Sequence, residues 1–390
     1  MKRQLNVVLV LLLSAFILAA CETPKANSIP ATVDLSSVRQ FMVDQVESGQ
    51  VPSAIALVSK NGKIVFQEAV GHQSPEVAAT QDTIVRLDSL TKPITATAIM
   101  ILVDEGAMRL DDPVATYLPA FADIKLGLGK TATKSITIRH LLTHTAGLAG
   151  YSPEVDALWG SSTNVEFADG IARLPLRHNP GDGFQYGNAY EVLPAVVNVV
   201  SGKEFGEFVS ERILIPLGMN DSFFLVPEEK RNRFSSLYTK DKNDRFTVMS
   251  APNDPNAVAF SSGGGGLKST VGDYHKFADM LLNGGKTAGL RILSEQSVKA
   301  MTEVQVSPEV PGTWKKGRGW GYGLATRFLP GTDNPEPIGT FGWDGGLGTL
   351  FFIDPAQDLI GIVFTQIHYS NPHELREGFQ QRIHRAFVSK

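Results

Sequence analysis

The chain of 390 residues carries a single cysteine, Cys21, so it forms no internal disulfide and no cysteine cluster for zinc or an iron-sulfur centre. It also lacks basic runs: 36 basic against 40 acidic residues leave a formal charge of -4, which offers nucleic acid no electrostatic footprint. There is no internal repeat and no low-complexity block, which sets collagen-like and disordered readings aside. Charged residues make up only 19% of the chain and apolar ones 43%, the proportions of an ordinary globular protein with material for a large core.

Apolar runs are short as well. The most continuous, Val7 to Ala20, follows Lys2 and Arg3 and falls below the roughly 20 residues a membrane span needs. Charged, then apolar, then small is the order of a secretory signal. The ending Leu18-Ala19-Ala20-Cys21 resembles a bacterial lipobox, in which the cysteine is lipidated and becomes the new N-terminus; ordinary signal cleavage nearby is the alternative. Residues 1-20 are therefore expected to be a lipoprotein signal and 21-33, polar with Pro24 and Pro30, a tether. Glu22 after the cysteine, in place of aspartate, suits an outer-membrane anchor facing the periplasm.

A globular unit is expected over 34-390. Leu35, Val38, Phe41, Met42 and Val46 recur at helical spacing, and the apolar stretches Ala54 to Ser59 and Ile64 to Val70 flank Asn61-Gly62, a hairpin signal. From about Ile94 to Leu281 helical stretches dominate, with little alternation. Thr349 to Ile353 and Leu359 to Thr365 read as strands, and His373 to Val388 as a closing helix. Strands at both ends of a helical middle predict an α/β protein: one antiparallel sheet flanked by helices, built from about 34-92 and 270-390, with an inserted helical lobe at about 93-269.

Three segments carry the residue types of nucleophilic catalysis. In Asp88-Ser89-Leu90-Thr91-Lys92-Pro93 a helix should begin near Ser89, because proline is tolerated in a first turn. Ser89 and Lys92 then share a face, so an amine can meet a hydroxyl that is a weak nucleophile on its own. Desolvation and the helix N-terminus are expected to lower the lysine pKa. In Phe184-Gln185-Tyr186-Gly187-Asn188, Tyr186 is suited to relay a proton and the Asn188 amide to meet substrate or Lys92. In Gly342-Trp343-Asp344-Gly345-Gly346-Leu347-Gly348, glycines before a strand let substrate approach the backbone.

In this order, S-x-x-K, Y-x-N and W-x-G resemble the serine β-lactamase and penicillin-binding-protein superfamily, in its class C-like branch, and the W-x-G form is similar to family VIII carboxylesterases. His140 to Leu148 and Ser262 to Leu267 look like further segments of that branch. The resemblance implies a β-lactamase/transpeptidase-like fold with the site between two lobes. It also implies Ser89 as acyl-forming nucleophile, Lys92 and Tyr186 as base and proton relay, and the N-H groups of Ser89 and Gly346 as oxyanion hole. Which of Lys92 and Tyr186 is the base stays open. Trp343 and Gly345 are expected at the substrate, Tyr151 either at the acyl pocket or in packing, and neither metal nor cofactor is called for.

Position 343 bears on the substrate. β-Lactamases of the branch usually place lysine there and DD-peptidases often histidine, whereas an indole suits a neutral ester. An exported, lipid-anchored esterase acting on small-molecule esters is thus expected. The alternatives are a DD-peptidase or class C-like β-lactamase, suggested by Asn188, and a non-catalytic wall-binding lipoprotein. Oligomeric state is not specified. No serine stands in the G-x-S-x-G of α/β-hydrolases: Gly150-Tyr151-Ser152 and Gly160-Ser161-Ser162 run on to Glu154 and Asn164. Gly263 to Gly266 with Lys268-Ser269 lacks the spacing of a phosphate loop and reads as a flexible cleft wall. His140 and His144, four apart without an intervening glutamate, read as a helix end in preference to a zinc pair. Trp320-Gly321-Tyr322-Gly323 fits either an aromatic substrate wall or a sheet edge.

Overall fold

The structure, a computed structural model, describes residues 33-251, 260-313, 317-330, 336-368 and 373-388. The expected signal, Cys21 and the tether as far as residue 32 lie outside the described residues. Helix α1 (Ser36–Glu47) opens the described chain, followed by strands β1 (Ser53–Lys60), β2 (Lys63–Ser74) and β3 (Val77–Ala78). Asn61 and Gly62 join β1 to β2 with φ of 52° and 69°, the two positive angles a tight hairpin turn requires. From the other end of the chain come β4 (Arg318–Trp320), β5 (Ala325–Arg327), β6 (Phe341–Gly345), β7 (Thr349–Asp354) and β8 (Leu359–Phe364).

These strands form one sheet in the order β4-β5-β6-β7-β8-β1-β2-β3, with antiparallel neighbours throughout. The two ends of the chain meet at its centre, where Ile55 faces Phe364. Side chains alternate across the pleat. Ala54, Ala56 and Val58 pack with Val38 and Met42 of α1 and with Leu375, Phe379 and Ile383 of the closing helix, His373–Val388. Ile55 and Leu57 face the opposite, larger core, which holds Phe351, Ile362 and the helical insertion.

The insertion is centred on α2 (Thr91–Asp104), whose mostly apolar sequence is buried on every side from Thr91 to Leu102. Helix α3 (Ala189–Ser201) packs beside it, and α4 (Val271–Leu282) packs on the sheet. The expected strand-poor middle needs a correction. Leu237–Lys240 pairs with Phe246–Ser250 across a polar turn, and Val85–Arg86 pairs with Lys268–Ser269. The second pairing draws the glycines 263-266 alongside the start of α2.

Candidate active site

Ser89 lies in a single 3-10 turn, Asp88–Leu90, that runs straight into α2. The expected helix start is therefore right to within one turn. Two anchors fix this turn against the sheet: Thr349 Oγ1 of β7 donates to the Leu87 carbonyl at 2.8 Å, and Leu87 N-H donates to Leu267 O at 2.9 Å. Ser89 stays partly exposed while Leu90 behind it is fully buried. Lys92, one turn on, is buried and donates to Ser89 Oγ at 3.0 Å and to the Gly264 carbonyl at 2.7 Å.

The charge of that lysine differs from expectation. Burial pulls the Lys92 amine down, as the sequence reading anticipated, but Tyr186, Asp88 and Tyr151 around it outweigh burial and hold it above its ordinary value. That balance favours the charged form of the amine, which donates to the serine. Its Nζ lies 4.8 Å from the centroid of the Tyr186 ring.

Tyr186 reaches the site from the loop before α3. Its oxygen accepts from Trp343 Nε1 at 3.2 Å, a link between the second and third motifs that the sequence did not reveal. The indole N-H is therefore directed to the phenol, and the indole face packs edge-on against Trp320, with centroids 4.6 Å apart. Trp320 is buried in edge strand β4 and donates to the Leu142 carbonyl, so it underlies the site as a sheet edge. Beneath Tyr186 sits His144, at φ 56° just past the short helix Ile138–Leu142. Its ring lies 4.5 Å from that of Tyr186, and burial, with Lys92 nearby, holds the imidazole well below its usual pKa. His140 instead closes a capping box with Thr137, so the two histidines serve separate structural ends.

The β6 edge brings Gly345 and Gly346 to the nucleophile turn. A Cβ on Gly345 would stand 2.5 Å from Leu87 O, so glycine here allows strand and turn to touch. That contact, together with Arg376 donating to the Gly345 carbonyl at 3.1 Å, makes Gly345 a packing position where substrate contact was expected. Gly346 N-H, expected as an open oxyanion donor, donates to Asp88 Oδ2. Asn188 departs from expectation too: it is 4% exposed and its Nδ2 donates to the Ala149 carbonyl at 2.9 Å. Its amide thereby anchors the loop that carries Tyr151. Tyr151 itself is 69% exposed at the mouth, within electrostatic range of Lys92.

Glu191, in the first turn of α3, was not recognised from the sequence. It is buried, and its Oε1 accepts from Ser262 Oγ at 2.9 Å and from Gly264 N-H at 3.0 Å. Gly264 in turn gives its carbonyl to Lys92. A Cβ at Gly264 would fall 2.2 Å from Glu191 Oε1, so only glycine fits between carboxyl and amine. Thr95 Oγ1 holds the Gly263 carbonyl at 2.7 Å, and the segment expected to flex is pinned on both sides. Burial pushes the Glu191 carboxyl up, against the pull of Lys92 and its hydrogen bonds. Glu191→Ala leaves two buried donors unpaired and is expected to lower unfolding free energy by about 2–4 kcal/mol and to depress kcat. Glu191→Gln keeps the acceptor oxygen and should restore most of both, as melting curves and turnover would check.

Among the described residues no group of three or more His, Cys, Asp or Glu is placed to hold a metal, and no helix among them is long and apolar enough to cross a membrane. A profile of the Beta-lactamase family matches residues 38–385. Protein Rv1367c of Mycobacterium tuberculosis is 33% identical over 350 residues, covering 82% of this chain and 87% of that protein. Esterase EstB of Burkholderia gladioli is 30% identical over 387 residues, 90% of this chain and 95% of its own. Among solved structures, EstCE1, described as a hydrolase with promiscuous acyltransferase activity, shares the fold at a TM-score of 0.78 and 24% identity, over 90% of this chain and 97% of that one.

Proposed function

The chain belongs to the Beta-lactamase family and is a serine hydrolase of the carboxylesterase type, and from that premise we propose that it cleaves small neutral esters with short acyl groups through an acyl-Ser89 intermediate. The observation that carries this reading is the contact chain from Trp343 Nε1 to the Tyr186 oxygen, with Lys92 beside both Tyr186 and Ser89. With the amine charged, Lys92 orients Ser89 Oγ, and the Tyr186 oxygen takes the serine proton. The ammonium and the indole N-H are placed to stabilise negative charge on that phenolic oxygen. Ser89 Oγ then bonds to the ester carbon, and the oxyanion draws on the N-H groups of Ser89 and Gly346. Collapse breaks the bond to the alkoxy oxygen, which leaves with the proton from Tyr186. Water repeats the cycle on the acyl-serine and releases the acid.

Esterase EstB, similar along nearly its whole length, supports the choice of substrate class. A DD-peptidase or β-lactamase needs a cation to hold the substrate carboxylate, and position 343 supplies an indole whose N-H goes to Tyr186. The exported, lipid-anchored, periplasm-facing location rests on Lys2, Arg3, the apolar run to Ala20 and Cys21. The deciding experiment compares kcat/KM for p-nitrophenyl butyrate and a chromogenic cephalosporin. The ester is expected to be favoured by about a hundredfold or more, roughly 2.7 kcal/mol in transition-state binding. An equal preference for the cephalosporin would overturn the assignment.

A further inference from the structure

Asp88, the residue before the nucleophile, is not used in the steps above, yet its side chain takes the Gly346 N-H that those steps assign to the oxyanion. Its backbone is left-handed, with φ of 50°, a conformation that Asp and Asn tolerate better than most residues with a Cβ. This turn aims the carboxylate across the cleft floor. Oδ2 accepts from Gly346 N-H, while Oδ1 would lie 3.1 Å from a Cβ on Gly265 in the opposite wall. The carboxylate therefore sits between the β6 edge and the glycine wall, beside Ser89.

The other charged groups nearby have hydrogen-bond partners of their own. Asp344, also on β6, is bound by Arg376 at 3.0 Å. Lys92, which Asp88 helps keep charged, is committed to Ser89 and Gly264. His368 also feels Asp88, but burial lowers its pKa, which favours the neutral ring.

Resting on the serine-hydrolase reading, we propose that Asp88 is a specificity-determining residue: its carboxylate holds Gly346 N-H in the free enzyme, yields it to the carbonyl of uncharged acyl groups, and repels acyl groups that carry their own carboxylate. The cost of moving Asp88 aside is common to all esters. The repulsion is not, because a second negative charge about 6–8 Å away, at an effective dielectric near 20, weakens transition-state binding by roughly thirtyfold to a hundredfold. Discrimination against anions thus comes from the residue beside the serine as well as from Trp343.

The test uses two p-nitrophenyl esters of matched length, the neutral butyrate and the anionic hemisuccinate, with the purified protein. In Asp88→Asn, which suits the same φ and keeps the size, the hemisuccinate-to-butyrate ratio of kcat/KM is expected to rise by about tenfold or more. Asp88→Gly, also compatible with a positive φ, carries the same expectation if the asparagine variant does not fold. Asp344→Asn should leave the ratio near the wild-type value. A ratio unmoved in both Asp88 variants, or moved equally by Asp344→Asn, overturns the proposal. Failure of the underlying reading looks different: wild-type protein inert toward both esters and unlabelled by a fluorophosphonate at Ser89 would remove the hydrolase assignment and this role with it.

Discussion

Ser89→Ala is expected to lower kcat for a butyrate ester by on the order of 10⁴-fold or more and to abolish labelling by a fluorophosphonate. The size of the loss follows from what surrounds the serine. The aliphatic hydroxyls around it among the described residues are engaged elsewhere: Ser262 Oγ is held by Glu191, Thr91 Oγ1 accepts from Leu267 N-H, and Thr349 Oγ1 donates to Leu87 O. The substitution should also fold. Ser89 is partly exposed, the turn stays anchored through Leu87, and Lys92 keeps its bond to the Gly264 carbonyl. Thermal melting within a few degrees of wild type, measured on the same preparation, separates lost chemistry from lost structure. Turnover retained above a tenth of wild type would move the nucleophile elsewhere.

How much of this site was legible beforehand depends on the range of the contacts involved. Ser89 and Lys92 are three residues apart, and a helical repeat alone brings amine to hydroxyl. The Asn61-Gly62 hairpin and the strands Thr349–Asp354 and Leu359–Phe364 were readable for the same reason, since turn chemistry and short apolar runs rich in β-branched and aromatic residues act locally. The pairing of Val85–Arg86 with Lys268–Ser269 joins two-residue strands from distant parts of the chain, and no local period announces it. Yet that pairing is what sets the glycine wall beside Lys92.

Glu191 was missed for a related reason. A glutamate in a first helical turn looks like an ordinary partner of the helix dipole, and only burial against Gly264 gives it another part. The signal available was the oddity of a charged residue between Tyr190 and Val192 in the apolar first part of the helix, Ala189 to Val197. The direction of the Lys92 shift was misjudged because desolvation can be anticipated from an apolar helix, whereas the opposing influence of Tyr186 and Asp88 depends on where a remote loop and one left-handed residue place their oxygens. Asn188 shows the reverse error. Its place in a short motif suggested substrate contact, and the fold turned the amide toward Ala149.

Tyr186→Phe isolates the proton-transfer step. The ring would remain packed 4.5 Å from His144 and 4.8 Å from Lys92 Nζ, so the variant removes one oxygen and little else. If Tyr186 takes the serine proton, kcat should fall by about 10²–10⁴-fold with KM nearly unchanged, because the missing oxygen acts in the transition state and not in binding. Trp343 Nε1 loses its acceptor at the same time, which should register as a changed tryptophan fluorescence. The competing role for Lys92 predicts otherwise. A lysine base must shed its proton, yet Tyr186, Asp88 and Tyr151 together favour the charged form; deleting the phenol would weaken that hold and bring the amine closer to the neutral state a base requires. On that mechanism Tyr186→Phe would stay within about tenfold of wild type, or gain activity toward neutral pH. A steep fall in kcat therefore identifies the phenolic oxygen as the group that receives the proton, with the ammonium of Lys92 as the fixed charge that steadies it.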